Sequence, residues 1–495
     1  MRTTTTPFSL DAQREVFFSS LASSDAVSYA VRTGQARKLG PRLYTKAMSG
    51  DPADICRRNW PAICAGYFPG AVIVGRTALD FKPAADGSVF LAAPRTRDVR
   101  LPGLRLRARR DPGRMAGDTP FMGENLYVSS RARAFLENLQ PSRARGGAVT
   151  RTLRREELEE ALVEFGRYDE SSLDRLRDDA RALAPSLDAQ AELEQLDVLI
   201  GALLRTRDVE LSAPRARAAA RGTPWDPARI ERLEQLAAGL LASGLPEVPA
   251  APSADVSVLA FYEAYFSNYI EGTEFTLEEA REIVFEGLVP QQRPKDAHDI
   301  LGTYRLVSDR RERVRVPGSA DELITVLRDQ HRTMLGERPE VGPGRFKERS
   351  NRVGGREFVA PHLVEGTLRE AFRFHTSLPG GFARAAFAMF LVAEVHPFAD
   401  GNGRTARLLM NAELSTAGQQ RIIVTTHDRG DYLAALRGMT NRLNIPAYLT
   451  VLTELQRRTA EIDFSSLAAA EEALQREGAL TDPDEGRGLL GGAFG

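Results

Sequence analysis

The chain is 495 residues long, which exceeds what one hydrophobic core usually serves, so two or three domains are expected. Its 66 basic and 67 acidic residues nearly cancel, and a hydrophobic content of 42% excludes a wholly disordered chain. The charge is unevenly distributed, because residues 1–155 hold 26 basic and 12 acidic residues while the rest hold 40 and 55. A basic N-terminal part indicates a polyanionic partner, most often nucleic acid.

The cysteine content and the lengths of the apolar runs indicate the cellular compartment of the protein. Two cysteines, Cys56 and Cys64, are too few for a disulfide framework or a four-ligand zinc site, and both stand among apolar neighbours as core residues do. The first twenty residues lack the apolar stretch of a secretory signal, and no apolar run reaches the length of a membrane span. The sequence predicts a soluble, cytoplasmic protein.

A helix followed by a hairpin is predicted between Ser24 and Thr45. Ser24 or Asp25 caps the helix, which ends at Gly34. The next residues, GQARKLGPRLYT, predict two short strands around a Gly40–Pro41 turn. This order is typical of a winged helix-turn-helix, in which the helix enters the major groove of DNA and the wing contacts phosphate.

The middle of the chain changes from strands to helices. Mixed short strands are predicted over residues 57–145, where LRLRARR (Leu104–Arg110) alternates apolar and basic residues as an edge strand with one basic face does. Residues 155–243 carry Leu, Ala, Glu and Arg at helical spacing and predict a helical connector. The Pro- and Ala-rich stretch Leu245–Asp255 is the clearest domain boundary.

The C-terminal half is predicted to be helical over residues 257–458, with one hairpin at Arg352–Val359. All six histidines of the chain follow residue 255, which points to this half for the chemistry. The last thirty residues, which end in GRGLLGGAFG, predict a loosely held tail.

The segment HPFADGNGRTAR, His396–Arg407, holds the residue types that phosphate chemistry needs. An apolar helix (Phe382–Val395) precedes it and another helix (Thr405–Leu414) follows, so its glycines lie at a helix N-terminus, where converging N–H groups and the helix dipole attract anions. Arg404 and Arg407 are three residues apart and share one face of the second helix, so both can reach one polyphosphate.

Two further residues of this segment suit nucleotide transfer. Asp400 is a hard oxygen ligand beside the anion site and fits a hydrated Mg²⁺ that bridges phosphates. His396 is close enough to accept a proton from an attacking hydroxyl. Single-residue alternatives are weaker: a bare His-Pro is mostly structural, zinc would need more ligands, and the glycines lack the Rossmann and Walker spacings.

The same segment matches in full the motif HPFx(D/E)GNGRxxR of the Fic family, and the resemblance extends over about residues 255–460. It implies a protein adenylyltransferase that moves AMP from ATP to a protein hydroxyl, with His396 as base, Phe398 anchoring the loop and Asp400 holding Mg²⁺. The nucleotide-binding residues that it implies are Gly401, Asn402, Gly403, Arg404 and Arg407, the two arginines on the β- and γ-phosphates. A flap implied by NRVGGREFVAP would dock the target by strand pairing through Val353, Gly354, Gly355 and Phe358.

A second element lies upstream, at SNYIEG (Ser267–Gly272). A helix predicted over Ser257–Ile270 places Glu271 at its C-terminus, where the helix dipole makes a negative charge unfavourable. A cationic partner would offset that cost. The alternative is a surface side chain that is solvated by water. The segment resembles the Fic family's inhibitory motif (S/T)xxxE(G/N). That resemblance implies that Ser267, Glu271 and Gly272 form a brake, with Glu271 paired to Arg407 so that the γ-phosphate of bound ATP is misplaced.

The N-terminal part resembles the AbiEi-type antitoxin domains of toxin–antitoxin systems, through GQARKLGPRLYT, YFPGAVIVGRTAL and RLPGLRLR. Those domains begin with a winged helix, and the residues that the resemblance offers to duplex DNA are Arg32, Arg37, Lys38 and Arg42. A solvated basic face is the alternative.

The predicted fold class is mainly α: an all-helical Fic fold with a β-hairpin flap, preceded by a helical connector and an α+β, winged-helix-like domain. The predicted divisions are residues 1–145, 146–250, 251–460 and 461–495. Two other functions stay open, AMP removal on the same fold and a DNA-binding toxin–antitoxin regulator. The expected ligands and partners are ATP, Mg²⁺, a target protein, duplex DNA and a second copy of the chain as a homodimer, with no membrane.

Overall fold

The computed structural model describes residues 8–480 apart from residues 112, 145–148, 168, 170, 252–255, 274 and 354. The chain forms two compact units, residues 1–222 and 223–495. The boundary between the two units, at residues 222 and 223, coincides with none of the predicted domain boundaries, and the division into four segments stays a prediction. Across the described residues, no helix is both long enough and apolar enough to pass through a bilayer.

The first unit combines short strands with helices. Its elements are β1 (Val16–Phe18), α1 (Ser24–Arg32), β2 (Arg37–Gly40), β3 (Leu43–Thr45), α2 (Pro52–Arg58), α3 (Trp60–Tyr67), β4 (Val72–Ile73), α4 (Gly75–Asp80), β5 (Ser88–Ala93), β6 (Arg97–Leu101), β7 (Leu104–Arg110), β8 (Thr119–Pro120), β9 (Tyr127–Val128), α5 (Arg131–Leu139), α6 (Arg155–Gly166), α7 (Ser171–Leu187), α8 (Gln190–Leu203) and α9 (Pro214–Ala220).

The predicted helix and hairpin near the N-terminus are present as α1, β2 and β3. The hairpin strands pair antiparallel, and β1 joins them to give the order β1-β3-β2. Helix α1 is held by Val27 and Ala30, which are buried together with Phe17 of β1 and Ala36. The secondary structure of this segment is confirmed, and its winged-helix character stays a prediction.

A six-stranded sheet with the order β6-β7-β5-β4-β9-β8 contributes to one hydrophobic core of the first unit, and helices α5 to α9 form another. Strand β7 runs antiparallel to β6 and parallel to β5, so the prediction of an edge strand was wrong. Alternation of apolar and basic residues indicates that one face of the strand is buried, and in β7 that face consists of Leu104, Leu106 and Ala108. The alternation does not indicate whether the strand has a neighbour on one side or on both. Cys56 and Cys64 are free and buried in the core to which this sheet contributes, and burial raises the pKa of Cys56 to about 11.

The second unit is mainly helical. Its elements are α10 (Pro227–Ala242), α11 (Val256–Ile270), α12 (Leu277–Arg281), α13 (Pro294–Ser308), α14 (Ala320–Met334), β10 (Arg352–Val353), β11 (Arg356–Glu357), α15 (Val364–Ser377), α16 (Phe382–Val395), α17 (Asn402–Thr416), α18 (Arg429–Arg442), α19 (Ile445–Glu461) and α20 (Leu467–Arg476).

Helix α16 is the centre of this unit. Its sequence, FARAAFAMFLVAEV, is apolar on every face, and a helix of that kind must be surrounded by others. Leu391 and Val395 share one core with residues of α10, α15, α17 and α19, among them Leu233, Leu368 and Leu452. Helix α10 therefore belongs to this unit, although the connector was predicted to run to residue 250.

The predicted linker and the predicted loosely held tail both make contacts in the parts that the structure describes. The Pro- and Ala-rich stretch pairs with the chain after α17, where Gln420 N donates to Val248 O at 2.8 Å and Ala250 N donates to Gly418 O at 3.0 Å. Helix α20 lies within the predicted tail, yet its Leu474 is fully buried with Phe261 of α11. Isolated Ala and Leu pairs in a Glu-rich stretch gave too weak a periodicity for us to predict that helix.

Arg133 of α5 is the centre of a buried charge network in the first unit. Its guanidinium is inaccessible to solvent and donates to Asp118 Oδ2 at 2.8 Å, Glu137 Oε1 at 2.7 Å and Asp111 Oδ1 at 2.9 Å. Breaking such a network by removing one sign of charge is costly, because the remaining charges stay buried.

Replacing Arg133 with leucine is expected to lower the unfolding free energy of the first unit by about 3–5 kcal/mol. Of the chain's two tryptophans, Trp60 lies in this unit, so fluorescence of a Trp225→Phe background during urea unfolding reports on it. Arg57→Leu is the control, because its pair with Asp54 is exposed and worth at most about 1 kcal/mol. Equal unfolding midpoints for the two variants would contradict the assignment.

Candidate active site

The loop between α16 and α17 has a backbone conformation that few residues adopt freely. His396 ends α16 in the left-handed region at φ 53°, with its N–H bonded to Val392 O at 2.9 Å. Gly401 then precedes α17 at φ 73°, a conformation in which glycine has no steric cost. Helix α17 begins at Asn402, three residues before the predicted start, so the whole GNGR segment lies at its N-terminus.

The Asn402 side chain holds this loop in shape. Its Oδ1 accepts from Phe398 N at 2.8 Å and its Nδ2 donates to Phe398 O at 2.9 Å, while the Phe398 ring is fully buried. The side chain predicted to bind phosphate therefore has structural partners here. Phe398 anchors the loop as the resemblance implied.

His331 of α14 supports the same loop from the opposite side. Its ring stacks on Phe398 at a centroid distance of 3.9 Å, and its Nδ1 accepts from Gly344 N at 2.9 Å. The proton therefore resides on Nε2, which donates to Asp400 O at 3.1 Å. A buried histidine on an amphipathic helix has no sequence signature of this role, so we did not predict it.

The His396 side chain is held as a neutral imidazole. Its Nδ1 lies 3.4 Å from Ala393 O, which favours the tautomer with Nε2 free to accept a proton. Burial, and next to it the positive charge of Lys347, lower the pKa of His396 to about 4. The flap covers the imidazole, since the Phe358 ring stacks on it at 3.8 Å with an interplanar angle of 9°.

Arg407 is clamped by two residues of the predicted brake. Its Nη2 donates to Glu271 Oε1 at 2.7 Å and to Ser267 O at 2.8 Å, and its Nε donates to Ser267 Oγ at 3.1 Å. Three of the five guanidinium N–H groups are thus engaged. Gly272 follows at φ 91° and ends the α11 segment.

The Glu271 carboxylate also covers the N-terminus of α17. A Cβ on Gly403 would collide with Glu271 Oε1, so the missing side chain at Gly403 is what allows this approach. A carboxylate at a helix N-terminus is stabilised by the dipole, and the same place would attract a phosphate. Glu271 therefore stands where an anionic ligand of α17 would bind.

Arg404 is held by partners of its own. Its Nη1 donates to Asp299 Oδ2 at 2.8 Å and to Asn268 Oδ1 at 3.1 Å, and its Nη2 lies 3.8 Å from Asp400 Oδ2. Asp299 is fully buried, binds Arg338 as well, and has its pKa raised by burial. The sequence offered no sign of Asp299, because it lies on α13, far from the motif along the chain.

Asp400 is the most accessible member of the site. Its Oδ1 accepts from Gly401 N at 2.7 Å, and 53% of its side chain is exposed. Among the described residues, no group of three or more His, Cys, Asp or Glu side chains is arranged to hold a metal. A single open carboxylate beside a phosphate site is nevertheless the usual protein share of Mg²⁺ coordination, in which substrate phosphates and water supply the other ligands.

The flap forms the predicted hairpin, with Arg352 paired to Glu357 and Val353 to Arg356. Phe358 lies against His396, whereas Gly355 has no neighbour that a Cβ would meet. Of the other predicted flap residues, Gly354 lies outside the described residues, and Val353 is placed by its backbone alone.

The predicted DNA-contact residues lie in the first unit. Arg32, Lys38 and Arg42 are exposed, while Arg37 is half-buried and donates to Gly50 O at 3.1 Å. Arg42 also donates to Ser19 O at 3.0 Å from a left-handed backbone position. Three of the four side chains are thus accessible to a polyanion.

Part of the chain is similar to known proteins. Residues 323–414 match the model of the Fic/DOC family. The chain is 29% identical over 230 residues to a protein named protein adenylyltransferase Fic of Nematostella vectensis, covering 45% of this chain and 53% of that protein. For the protein of the same name of Drosophila melanogaster the identity is 28% over 207 residues, with 41% and 42% covered. The chain thus spans about half or less of the length of these relatives.

Solved structures give distant matches. A Fic domain containing signaling protein from Bacteroides thetaiotaomicron aligns with a TM-score of 0.35 at 21% identity, over 49% of this chain and 97% of that one. Fic-1 from C. elegans, residues 134–508, aligns with the same TM-score at 19% identity, over 69% and 96%. The family match includes every residue from His396 to Arg407, so the candidate active site lies inside the segment that matches the Fic/DOC family.

Proposed function

We propose that the chain transfers AMP from ATP to a hydroxyl group of a protein side chain and that Glu271 restrains this activity. One observation carries the proposal: Glu271 and Ser267 clamp Arg407 at the N-terminus of α17, beside His396. The name of these relatives, protein adenylyltransferase Fic, agrees with the proposal.

Different residues of the site would bind the phosphates and accept the proton. Backbone N–H groups at the start of α17 and the guanidinium of Arg407 would hold the phosphates of ATP. His396, neutral and with Nε2 free, accepts the proton of the attacking hydroxyl as the oxygen bonds to the α-phosphorus and pyrophosphate leaves. Asp400 would hold Mg²⁺, which supplies neutralising charge to the phosphates when bound.

The brake works by competition for one cation. While Glu271 is paired with Arg407, a terminal phosphate cannot use that guanidinium, and the carboxylate repels it from α17. Charge-assisted hydrogen bonds of this kind are worth about 1.5–3 kcal/mol. Removing Glu271 therefore frees Arg407 for ATP.

Glu271→Gly is expected to raise AMP transfer roughly 10- to 150-fold, since about 1.5–3 kcal/mol of competition is lost. Purified protein is incubated with Mg²⁺, a cell lysate and ATP labelled at the α-phosphate or, in parallel, at the γ-phosphate. Label from the α-position alone should become protein-bound, and Glu271→Gly/His396→Ala should lose the signal by roughly 10²- to 10⁴-fold.

Ser267→Ala is the graded control, because it removes one hydrogen bond to Arg407 and keeps the backbone carbonyl contact. Its rate should fall between the wild type and Glu271→Gly. If no variant transfers α-label, the transferase proposal is wrong, and loss of AMP from a modified protein becomes the reaction to measure.

The pH dependence follows from His396. Since the neutral imidazole accepts the proton, kcat/KM of Glu271→Gly should rise with pH through about 4 and be level near neutrality, well below the ordinary histidine value. Lys347 is charged throughout this acid range, because burial lowers its own pKa only to about 7. Lys347→Met should therefore move the acid limb to higher pH, and an unchanged limb near 6.5 in both proteins would contradict the base assignment.

We further propose that the helix and hairpin of the first unit contact duplex DNA. Support comes from the exposed cations Arg32, Lys38 and Arg42 on α1 and the hairpin. Phosphate contacts release counterions, so this binding should weaken steeply with salt.

Replacing Arg32, Lys38 and Arg42 together with alanine should lower the slope of log K against log salt by about 3, roughly 0.9 for each lost phosphate contact. Fluorescence anisotropy with labelled duplex DNA measures it. The control carries alanine at Arg175 and Arg181, which are also exposed and lie on α7 of the same unit. If the triple variant and the double control variant have equal slopes, the cations on α1 and the hairpin form a solvated basic face and do not contact DNA.

A further inference from the structure

Arg229, on helix α10, contacts the flap from outside the family-matched segment. Its Nη2 donates to the backbone carbonyl of Glu357 in β11 at 2.8 Å, and its Nη1 donates to Glu394 Oε1 at 2.5 Å. The guanidinium thus bridges a flap strand and the helix that ends in His396. Asp226 caps α10 through Ala228 N at 3.0 Å, which fixes the first turn that carries Arg229.

Glu394 is a fixed anchor for this bridge. It lies two residues before His396 on α16 and is fully buried, so its position is set by the core. Arg232 donates to the same Oε1 at 2.7 Å, and Thr440 Oγ1 donates to Oε2 at 2.8 Å. Arg232 also donates to Thr440 O at 2.5 Å, and neither of these contacts involves a flap residue.

The other end of the flap has its own attachment. Asn351 Nδ2 donates to Phe398 O at 3.0 Å, and Lys347 Nζ donates to Asn351 Oδ1 at 2.7 Å. Besides these two attachments, the flap has the stacking of Phe358 on His396, while β10 and β11 pair at only two positions, which is too few for a hairpin to be stable by itself. The orientation of the flap therefore depends on its anchors.

We propose, on the basis of the transferase function above, that Arg229 is a positioning residue that holds β11 so that an extended segment of the target protein can pair with the flap beside His396. Recognition by strand addition needs a strand of fixed direction, because each main-chain hydrogen bond depends on register. Arginine suits this bridge because two separate nitrogens of its rigid fork reach the two acceptors, whereas a lysine would have to serve both from one nitrogen on a flexible stem.

The anchoring is tested first by amide hydrogen exchange of the full chain. Arg229→Ala and Arg229→Lys should speed exchange in peptides that cover residues 351–358, while Arg232→Ala should leave that exchange unchanged. Arg232→Ala is a matched control, because it removes an arginine from the same Glu394 oxygen without touching the flap. Unchanged flap exchange in both Arg229 variants overturns the proposal, and so does equal acceleration in Arg232→Ala.

The consequence for the reaction is tested in a Glu271→Gly background with α-labelled ATP and a dilution series of one lysate as acceptor. Arg229→Lys should raise the acceptor concentration for half-maximal rate about tenfold and change the ATP concentration for half-maximal rate less than twofold. Equal shifts for ATP and acceptor, or none relative to Arg232→Ala, would overturn the positioning role. If the background protein itself transfers no label, the transferase function fails, and hydrogen exchange still decides whether Arg229 anchors the flap.

Discussion

A buried guanidinium needs an anion, and the site is organised around that requirement. Arg407 is almost inaccessible to solvent, and leaving such a charge unpaired would cost several kcal/mol. Glu271 meets the requirement in the present structure, at a helix N-terminus whose dipole favours any negative group. The Glu271 carboxylate occupies a place that would attract any other anionic group equally well, a phosphate included.

Helix α11 and the residue that follows it contact both arginines of the motif through different side chains. Ser267 and Glu271 contact Arg407, and the intervening Asn268 contacts Arg404 together with Asp299. Residues four apart on a helix share a face, whereas the neighbour of Ser267 points about 100° away, which explains how α11 can reach two side chains of α17. Displacing α11 would therefore disturb both cations together.

Much of the site could be predicted because its determinants are local in sequence. Phe382–Val395 is a helix with the predicted bounds, since an apolar run ends where His-Pro interrupts it, and the clamp between Glu271 and Arg407 follows from two short motifs. His331, Asp299 and Arg229 could not be found in this way. Each acts through packing between helices that lie far apart in the chain, and hydrophobic periodicity reports which face of an element is buried but not what it contacts. The misassigned strand β7 has the same cause.

His396 has a left-handed backbone, at φ 53°, and is not a glycine. A side chain in that conformation costs on the order of 1 kcal/mol, which the packed ends of α16 and α17 must overcome. Glycine or asparagine would relieve the strain, so the proposed base stands at a position where selection for stability alone would remove histidine. A replacement at the end of α16 that relieves this strain would therefore stabilise the fold while removing the proposed base.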